Sequence, residues 1–403
     1  MKMIGIRIGS ALLALSIAAC GPRRFPDVSP PPQVNPRAEA VVYLIGDVGE
    51  ASQQDAVLAQ LKADIRKRTQ YAQVIVAFLG DNVYHRGLHP PYHADHDEDM
   101  ARLEVQIDVL RGTDATGVFL PGNHDWGYGD ERGLDQLRRQ GDRLATAALD
   151  GVAVTLLPEA GCPGPRALTV GKSALLVMID TDFWLRDDVP IEGCEHRSTD
   201  EALVGLRSIL SQNARGDRRH VVVLGHHPLK TYGPHGGYFG LKDQFFPGTN
   251  LWAPLYVPLP FLYPIVRNSG ISKQDLSNNR NAAMRTQIGQ ALSETPDHNI
   301  VYAAGHDHNL QVFEGGDYGV RYILVSGAGS KLTDVGQDDA LFAAGKQNRE
   351  LGYMRLDFFD DGGVLLSAVT DGTVACGGSP DCKPEASVRY WRWLVEENVS
   401  AVE

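Results

Sequence analysis

Val74-Ile75-Val76-Ala77-Phe78-Leu79-Gly80-Asp81-Asn82 is six apolar residues in a row, ended by glycine and two polar side chains. An unbroken apolar run of that length reads as a strand buried on both faces, the pattern of parallel strands covered by helices. Glycine at its end lets the backbone turn sharply. The carboxyl ends of such strands are where α/β sheets carry their sites.

The same ending recurs four times. Ala40–Ile45 stops at Gly46-Asp47, and Val118–Leu120 stops at Pro121-Gly122-Asn123-His124-Asp125. Val221–Leu224 stops at Gly225-His226-His227-Pro228, and Ile300–Ala303 is followed by Gly305-His306-Asp307-His308. One Gly-Asp after a strand is an ordinary turn or helix cap. Five such endings supply two aspartates, one asparagine and three histidines. Two aspartates alone would also suit general acid and base work, but the added amide and imidazoles favour metal ligation. Such mixed sets suit hard or borderline divalent and trivalent metals. Between these runs, residues 52–68 have a helical pattern. Val320–Ser326, Tyr353–Phe359 and Gly363–Thr370 are expected to form strands of a second sheet. Tyr390–Leu394, with Trp391 and Trp393, reads as a final packing element.

With 403 residues, 43% hydrophobic and 22% charged, the chain is globular, which excludes disorder, collagen and coiled coil as whole-chain readings. The formal charge is −12, from 38 basic and 50 acidic residues, and no run of five basic residues occurs. An acidic surface repels a phosphate backbone, so no nucleic-acid partner is expected.

Residues 1–19 read as an export signal, with Lys2 and Arg7 ahead of the apolar stretch from Ile8 to Ala19. That stretch is shorter than the ~20 apolar residues a membrane-spanning helix needs. It ends Ile17-Ala18-Ala19-Cys20-Gly21, which resembles the bacterial lipobox, whose cysteine becomes the lipidated first residue. Ordinary signal cleavage is the other reading. The resemblance implies a protein held at the bacterial cell envelope, periplasmic or on the outer membrane, through a lipidated Cys20. Residues 20–39 hold six prolines, the composition of a semi-extended tether, and residues 40–403 form the body. Of the other four cysteines, sequence proximity favours the pairs Cys162–Cys194 and Cys376–Cys382 among three connectivities. No pair has the two-residue spacing of a structural zinc site.

The five blocks, in this order, resemble the calcineurin-like metallophosphoesterases, and within them the small, tartrate-resistant type of purple acid phosphatase. Gly305-His306-Asp307-His308-Asn309-Leu310-Gln311, followed by Ser326-Gly327-Ala328-Gly329, is similar to the small type. Most of the superfamily begins with Asp-x-His, whose histidine binds the first metal. Here that position is Gly49, and Tyr84 lies three residues after Asp81, where purple acid phosphatases carry a tyrosinate ligand.

The resemblance implies a four-layer α/β/β/α sandwich, two mixed sheets face to face with helices outside. It implies a first metal, Fe(III), on Asp47, Tyr84 and His308. A second, divalent metal (Fe, Zn or Mn) would take Asn123, His226 and His306, with Asp81 bridging. The implied activity is hydrolysis of small phosphate monoesters by attack of a metal-bound hydroxide. His124 and His235 match the two non-ligand histidines that contact phosphate or the leaving group, and the motif does not choose between them as proton donor. The enzymatic rival is a Mn, Zn or Fe phosphodiesterase. The rival from another class is a catalytically silent lipoprotein that binds phosphate and metal.

His227 is expected beside the ligands or on the surface rather than on a metal. The run from His93 to Asp99 reads as a solvated acidic loop leading into a helix over Met100–Leu110, with Asp97 or Asp99 favouring its start. His226 and His306 lie 80 residues apart, and the excess over the small acid phosphatases falls at about 236–281. Four prolines between Leu251 and Val266 forbid a helix through that stretch. It is expected to arch near the site, either as a packed lid or as an apolar patch for substrate or bilayer.

Overall fold

The computed structural model describes residues 25, 28–32, 37–187, 192–216, 219–246, 259, 261–295, 299–376 and 384–395. The signal-like segment, Cys20, the Cys376–Cys382 pairing and positions 251–258 of the Pro-rich stretch lie outside the described residues.

Among the described residues fourteen strands follow one another as β1 (Ala40–Ile45), β2 (Gln73–Phe78), β3 (Thr116–Phe119), β4 (Val154–Leu156), β5 (Arg166–Val170), β6 (Ala174–Met178) and β7 (His220–Leu224), then β8 (Ile300–Ala304), β9 (Leu310–Glu314), β10 (Tyr322–Ser326), β11 (Phe342–Ala344), β12 (Gly352–Phe358), β13 (Val364–Thr370) and β14 (Ser387–Val395). They form two seven-stranded sheets, ordered β14-β13-β12-β1-β2-β3-β4 and β11-β9-β10-β8-β7-β6-β5. Each is mixed. In the first, β1 to β4 run parallel and β12 joins β1 antiparallel. In the second, β6, β7, β8 and β10 run parallel and both edges are antiparallel.

The alternation of side chains along each strand makes the four layers. Ala40, Val42 and Leu44 of β1 turn inward with Ile75 and Ala77 against Leu176, Met178, Val222 and Leu224 of the other sheet. Val41, Tyr43 and Ile45 turn outward into a second cluster with Leu61 and Ile65, Leu103 and Ile107, and Leu137 and Leu144. Those pairs belong to the helices Ala56–Arg68, His96–Leu110 and Gly133–Leu149. The far sheet is covered in the same way by Thr199–Arg215 and Asn279–Ser293. Each fully buried Val, Leu or Ile contributes about 1.5–3 kcal/mol relative to exposure. The sandwich is thus held by three apolar seams.

Two helix starts and one sheet assignment differ from the sequence reading. The first helix starts at Ala56 rather than 52, because Ser52–Asp55 forms a turn closed by Ser52 N to Asp55 Oδ2 at 2.7 Å. The second starts at His96, with Asp97, Glu98 and Asp99 in its first turn. β12 and β13 do not lie in a sheet apart from the strands that carry the site. They extend the sheet of β1, β2 and β3, whereas β10 sits beside β8. Apolar runs report burial on both faces, which both sheets share, and say nothing of which strand each one pairs with. Cys162 and Cys194 form a disulfide. Phe25 stacks on Phe342, and Trp391 Nε1 donates to Ser29 O at 2.8 Å, so the described part of the proline-rich segment lies against the body.

Candidate metal centre

The loops after β1, β2, β3, β7 and β8 meet at one end of the seam between the sheets. Asp47, Asp81 and His306 hold positive φ (59°, 54° and 70°), a sparsely populated region for residues with a Cβ. Strain of this kind is found where the surroundings fix a side chain for a purpose. The approach is close enough that a Cβ on Gly80 would lie 2.6 Å from His226 Nδ1.

Six side chains form two groups with Asp81 between them. In the first, Tyr84 OH donates to Asp47 Oδ1 at 3.0 Å and lies 3.1 Å from His308 Nε2. In the second, His226 Nε2 lies 3.0 Å from Asn123 Oδ1 and 3.2 Å from His306 Nδ1. Asp81 Oδ2 touches both groups, at 3.2 Å from Tyr84 OH and 3.4 Å from His226 Nε2. All seven residues expected as ligands are therefore brought together, with Asp81 in the bridging place.

The donor set asks for positive charge. Asp47 and Asp81 are 0% and 1% exposed, and among the described residues no Lys or Arg forms an ion pair with either. Buried carboxylates without a cation are costly. Burial acts to raise the Asp81 carboxyl, but the His226 and His124 rings outweigh it and hold it far below the usual range. Burial likewise disfavours a charged His226, yet Asp81 moves that ring up to about 10. His226 Nδ1 is bonded to Leu79 O and His306 Nε2 to Gln274 O. The nitrogens left over, His226 Nε2 and His306 Nδ1, thus face each other. Two lone pairs at that separation need a proton or a metal between them, and the second-partner pattern is that of metal-ligating histidines. The residues present fit two metal ions.

Gly49 explains the absent histidine. A Cβ there would lie 2.7 Å from Asp81 O and 2.8 Å from Val83 N, so no larger side chain fits this backbone. Tyr84 reaches in from the other side. Burial, with Asp47 and Asp81, pushes its phenol well above its usual range, and Lys331 Nζ sits 4.6 Å from its ring centre.

His124 and His235 flank the two groups. His124 Nδ1 bonds His85 O at 2.7 Å, leaving Nε2 as the free nitrogen, 3.9 Å from Asp81 Oδ2. Its ring stacks on Tyr128 and meets Tyr84 edge-on. His235 Nδ1 bonds Asp275 Oδ1 at 2.9 Å, and its ring centre lies 3.8 Å from that of His306. His227 is fully buried, not on the surface. Thr181 Oγ1 at 2.8 Å and Gln274 Oε1 at 2.5 Å occupy both its nitrogens, so it braces the ligands. Burial lowers its pKa to about 3.

The His93–Asp99 run is only partly a solvated loop. Asp99 is 1% exposed and takes His89 Nδ1 at 2.8 Å. His89, His93 and Asp95 come near enough to share an ion. Residues the sequence did not single out complete the centre. Asp125 accepts from the backbone of Gly122, Asn82 and Val83 and from Asn82 Nδ2, so one carboxylate holds the loops of Asp81 and Asn123. Gln274, Asp275 and Arg267 come from the insertion, which therefore does reach the site.

Among solved structures, one similar chain is GAP50, described as the anchor in the inner membrane complex of Plasmodium. It shares 16% identity, with 91% of this chain and 92% of that one covered, at a TM-score of 0.54. A second is PhoD, at 12% identity, covering 92% of this chain and 74% of that one, at 0.49. No curated protein matches the sequence significantly. The sequence profile of the calcineurin-like phosphoesterases matches residues 40–251, more than half of the chain and four of the five strand ends that build the centre. The protein belongs to the calcineurin-like phosphoesterase family, and its chemistry is that of a metal-dependent phosphoester hydrolase.

Proposed function

We propose that the protein hydrolyses small phosphate monoesters in the manner of a purple acid phosphatase. The observation that carries this reading is the exchange at Gly49 and Tyr84. The position where most of the superfamily places a histidine ligand is closed to any side chain, and a buried phenol lies 3.0 Å from Asp47 and 3.1 Å from His308. A phenolate is a hard anionic donor suited to a trivalent ion, so Fe(III) would sit on Asp47, Tyr84 and His308. A divalent Fe, Zn or Mn would sit on Asn123, His226 and His306, and Asp81 would serve both.

When bound, the two metals supply Lewis-acid activation of the phosphoryl group and of water. The chain's own residues do the rest. His226 and His306, with their outer nitrogens tied to Leu79 O and Gln274 O, present fixed donors and lose no orientation when the site is loaded. His124 Nε2 and His235 flank the space in front of the two groups, both partly exposed. Either imidazolium can give its proton to the departing alkoxide oxygen as the P–O bond breaks. The acidic surface turns away large polyanions and favours small phosphoesters.

We also propose that the chain is exported and anchored at the cell envelope through Cys20, which the lipobox-like sequence supports. The deciding experiment compares p-nitrophenyl phosphate with bis-p-nitrophenyl phosphate and records the visible spectrum of the oxidised protein and its Tyr84→Phe variant. Faster monoester turnover and a visible band lost or displaced in the variant support the reading. A colourless, metal-bearing protein with faster diester turnover would move it to the phosphodiesterases. Bound phosphate without turnover would leave only the silent binding protein.

A further inference from the structure

The second metal group is closed on its outer side by a segment that no strand end supplies. Residues 272–276 of the insertion make five hydrogen bonds to it and to the side chains around it. Gln274 O accepts His306 Nε2–H at 3.0 Å, which turns His306 Nδ1 toward His226. The Gln274 side chain is locked in turn, with Oε1 on His227 Nε2 at 2.5 Å and Nε2 donating to Asp182 Oδ1 at 3.3 Å. Asp275, 1% exposed, takes His235 Nδ1 at 2.9 Å. Leu276 N donates to His235 O at 2.9 Å.

Asp275 does not act alone. Arg267 Nε donates to its Oδ2 at 2.8 Å and Arg267 Nη2 to its Oδ1. Arg267 Nη1 is fixed on Tyr263 OH at 3.1 Å, and Nη2 lies 3.0 Å from His235 Nδ1. Both ends of the arm are pinned as well. Lys273 pairs with Asp187, and Arg285 Nη2 holds Leu276 O at 2.8 Å. One five-residue arm thus sets the orientation of a metal-ligating imidazole and of a flanking, non-ligand one.

We propose that Ser272–Leu276 is a positioning strap for the centre. Gln274 selects the nitrogen that His306 turns to the metal, and Asp275, held by Arg267, aims His235 at the phosphoester. The proposal rests on the metal-centre reading above. The partner of a ligating histidine's second nitrogen fixes its tautomer and ring angle, and loss of such partners typically costs 10–100-fold in metal affinity or activity.

The test uses the full chain, first metal-free with 15N-labelled histidine, the His306 signals being identified by their loss in His306→Gln. The parent is expected to show His306 as the single Nε2–H tautomer. Gln274→Ala keeps the carbonyl but removes the side-chain ties to His227 and Asp182 that hold it in place, so His306 should show mixed tautomers and the affinity for Mn2+, measured by titration calorimetry, should fall about 10–100-fold. Asp275→Asn keeps the size of the side chain. It should bind Mn2+ within threefold of the parent and lose more than tenfold in kcat on p-nitrophenyl phosphate, with KM within threefold. A single Nε2–H tautomer with parental Mn2+ affinity in Gln274→Ala, or parental kcat in Asp275→Asn, would overturn the strap. If Gln274→Ala does not fold, the Asp275→Asn result decides. If the parent takes up no Mn2+, the metal-centre reading falls, while the tautomer measurement, made without metal, still judges the strap.

Discussion

Asp125→Asn is the sharpest probe of how the centre is held. Asp125 Oδ1 accepts from Asn82 N at 3.0 Å and Val83 N at 3.1 Å. Its Oδ2 accepts from Gly122 N at 2.8 Å and Asn82 Nδ2 at 3.1 Å. Burial and the nearby Asp81 push its carboxyl up, but every contact is an N–H donor, an arrangement that only the carboxylate satisfies in full. Asparagine has the same shape and replaces one oxygen by an amino group. Whichever way the amide turns, that group faces two donors, and two buried hydrogen bonds are lost. Each unsatisfied buried donor costs about 1–3 kcal/mol, so the variant should be destabilised by about 2–6 kcal/mol. Urea unfolding of the metal-free protein measures this directly. Because the loops released carry Asp81 and Asn123, Mn2+ affinity should fall in parallel. A loss below ~1 kcal/mol, with unchanged metal affinity, would refute the claim that this carboxylate braces both loops.

The pH dependence of metal binding follows from His226. Its folded value is raised to about 10 from 6.5. In the metal-free protein its stabilising contribution is therefore complete below the unfolded value near 6.5 and is lost as pH rises through about 10. Metal must displace that proton, so affinity should climb by about tenfold per pH unit between pH 7 and 9; a flat titration would contradict it. Gly49→Ala should lower Mn2+ affinity more than tenfold, since its Cβ meets Asp81 O at 2.7 Å and Val83 N at 2.8 Å; calorimetry showing parental affinity would mean the backbone yields freely. His235→Ala should slow turnover of p-nitrophenyl phosphate while metal content, read by elemental analysis, stays at two per chain. Loss of metal there would make His235 a ligand.

Much of the centre was legible because ligand chemistry is local. A glycine at a strand end, followed by a carboxylate, amide or imidazole, states both the turn and the donor within four residues, and this located Asp47, Asp81, Asn123, His226, His306 and His308. Tyr84 needed the family resemblance, since a lone loop tyrosine carries no such signal. Asp125 stood inside a quoted motif without a role, because its partners are backbone N–H groups 3 and 43 positions away. Gln274 acts through its carbonyl oxygen as well as its side chain, and a carbonyl belongs to every residue type. The sheet assignment of β12 failed for a related reason: its register against β1, Tyr43 opposite Arg355, joins positions more than three hundred apart, and an apolar run says only that it is buried.

The missing sheet assignment matters because the seam is part of the site. Asp47, Tyr84 and Asn123 descend from the sheet of β1, β2 and β3, while His226, His306 and His308 descend from the sheet of β7 and β8. Neither group of ligands is complete in one sheet. Asp47 and Tyr84 need His308 from across the seam, and His226 and His306 need Asn123. The two sheets are locked where the groups meet. Gly46 N donates to Ser326 O at 2.7 Å and Ser326 Oγ donates to Leu44 O at 2.7 Å. His226 Nδ1 itself bonds Leu79 O at 2.8 Å, so a ligand of one sheet is oriented by the backbone of the other. Beneath these bonds, Leu44, Leu79, Leu224, Ala303 and Leu324 form the inter-sheet core. Packed interiors do not deform continuously, so that core sets the spacing of the two ligand groups as surely as the ligands do. The fold is therefore the outer frame of the candidate metal centre, and residues 274–276 of the insertion add contacts to His306 and His235 that neither sheet supplies.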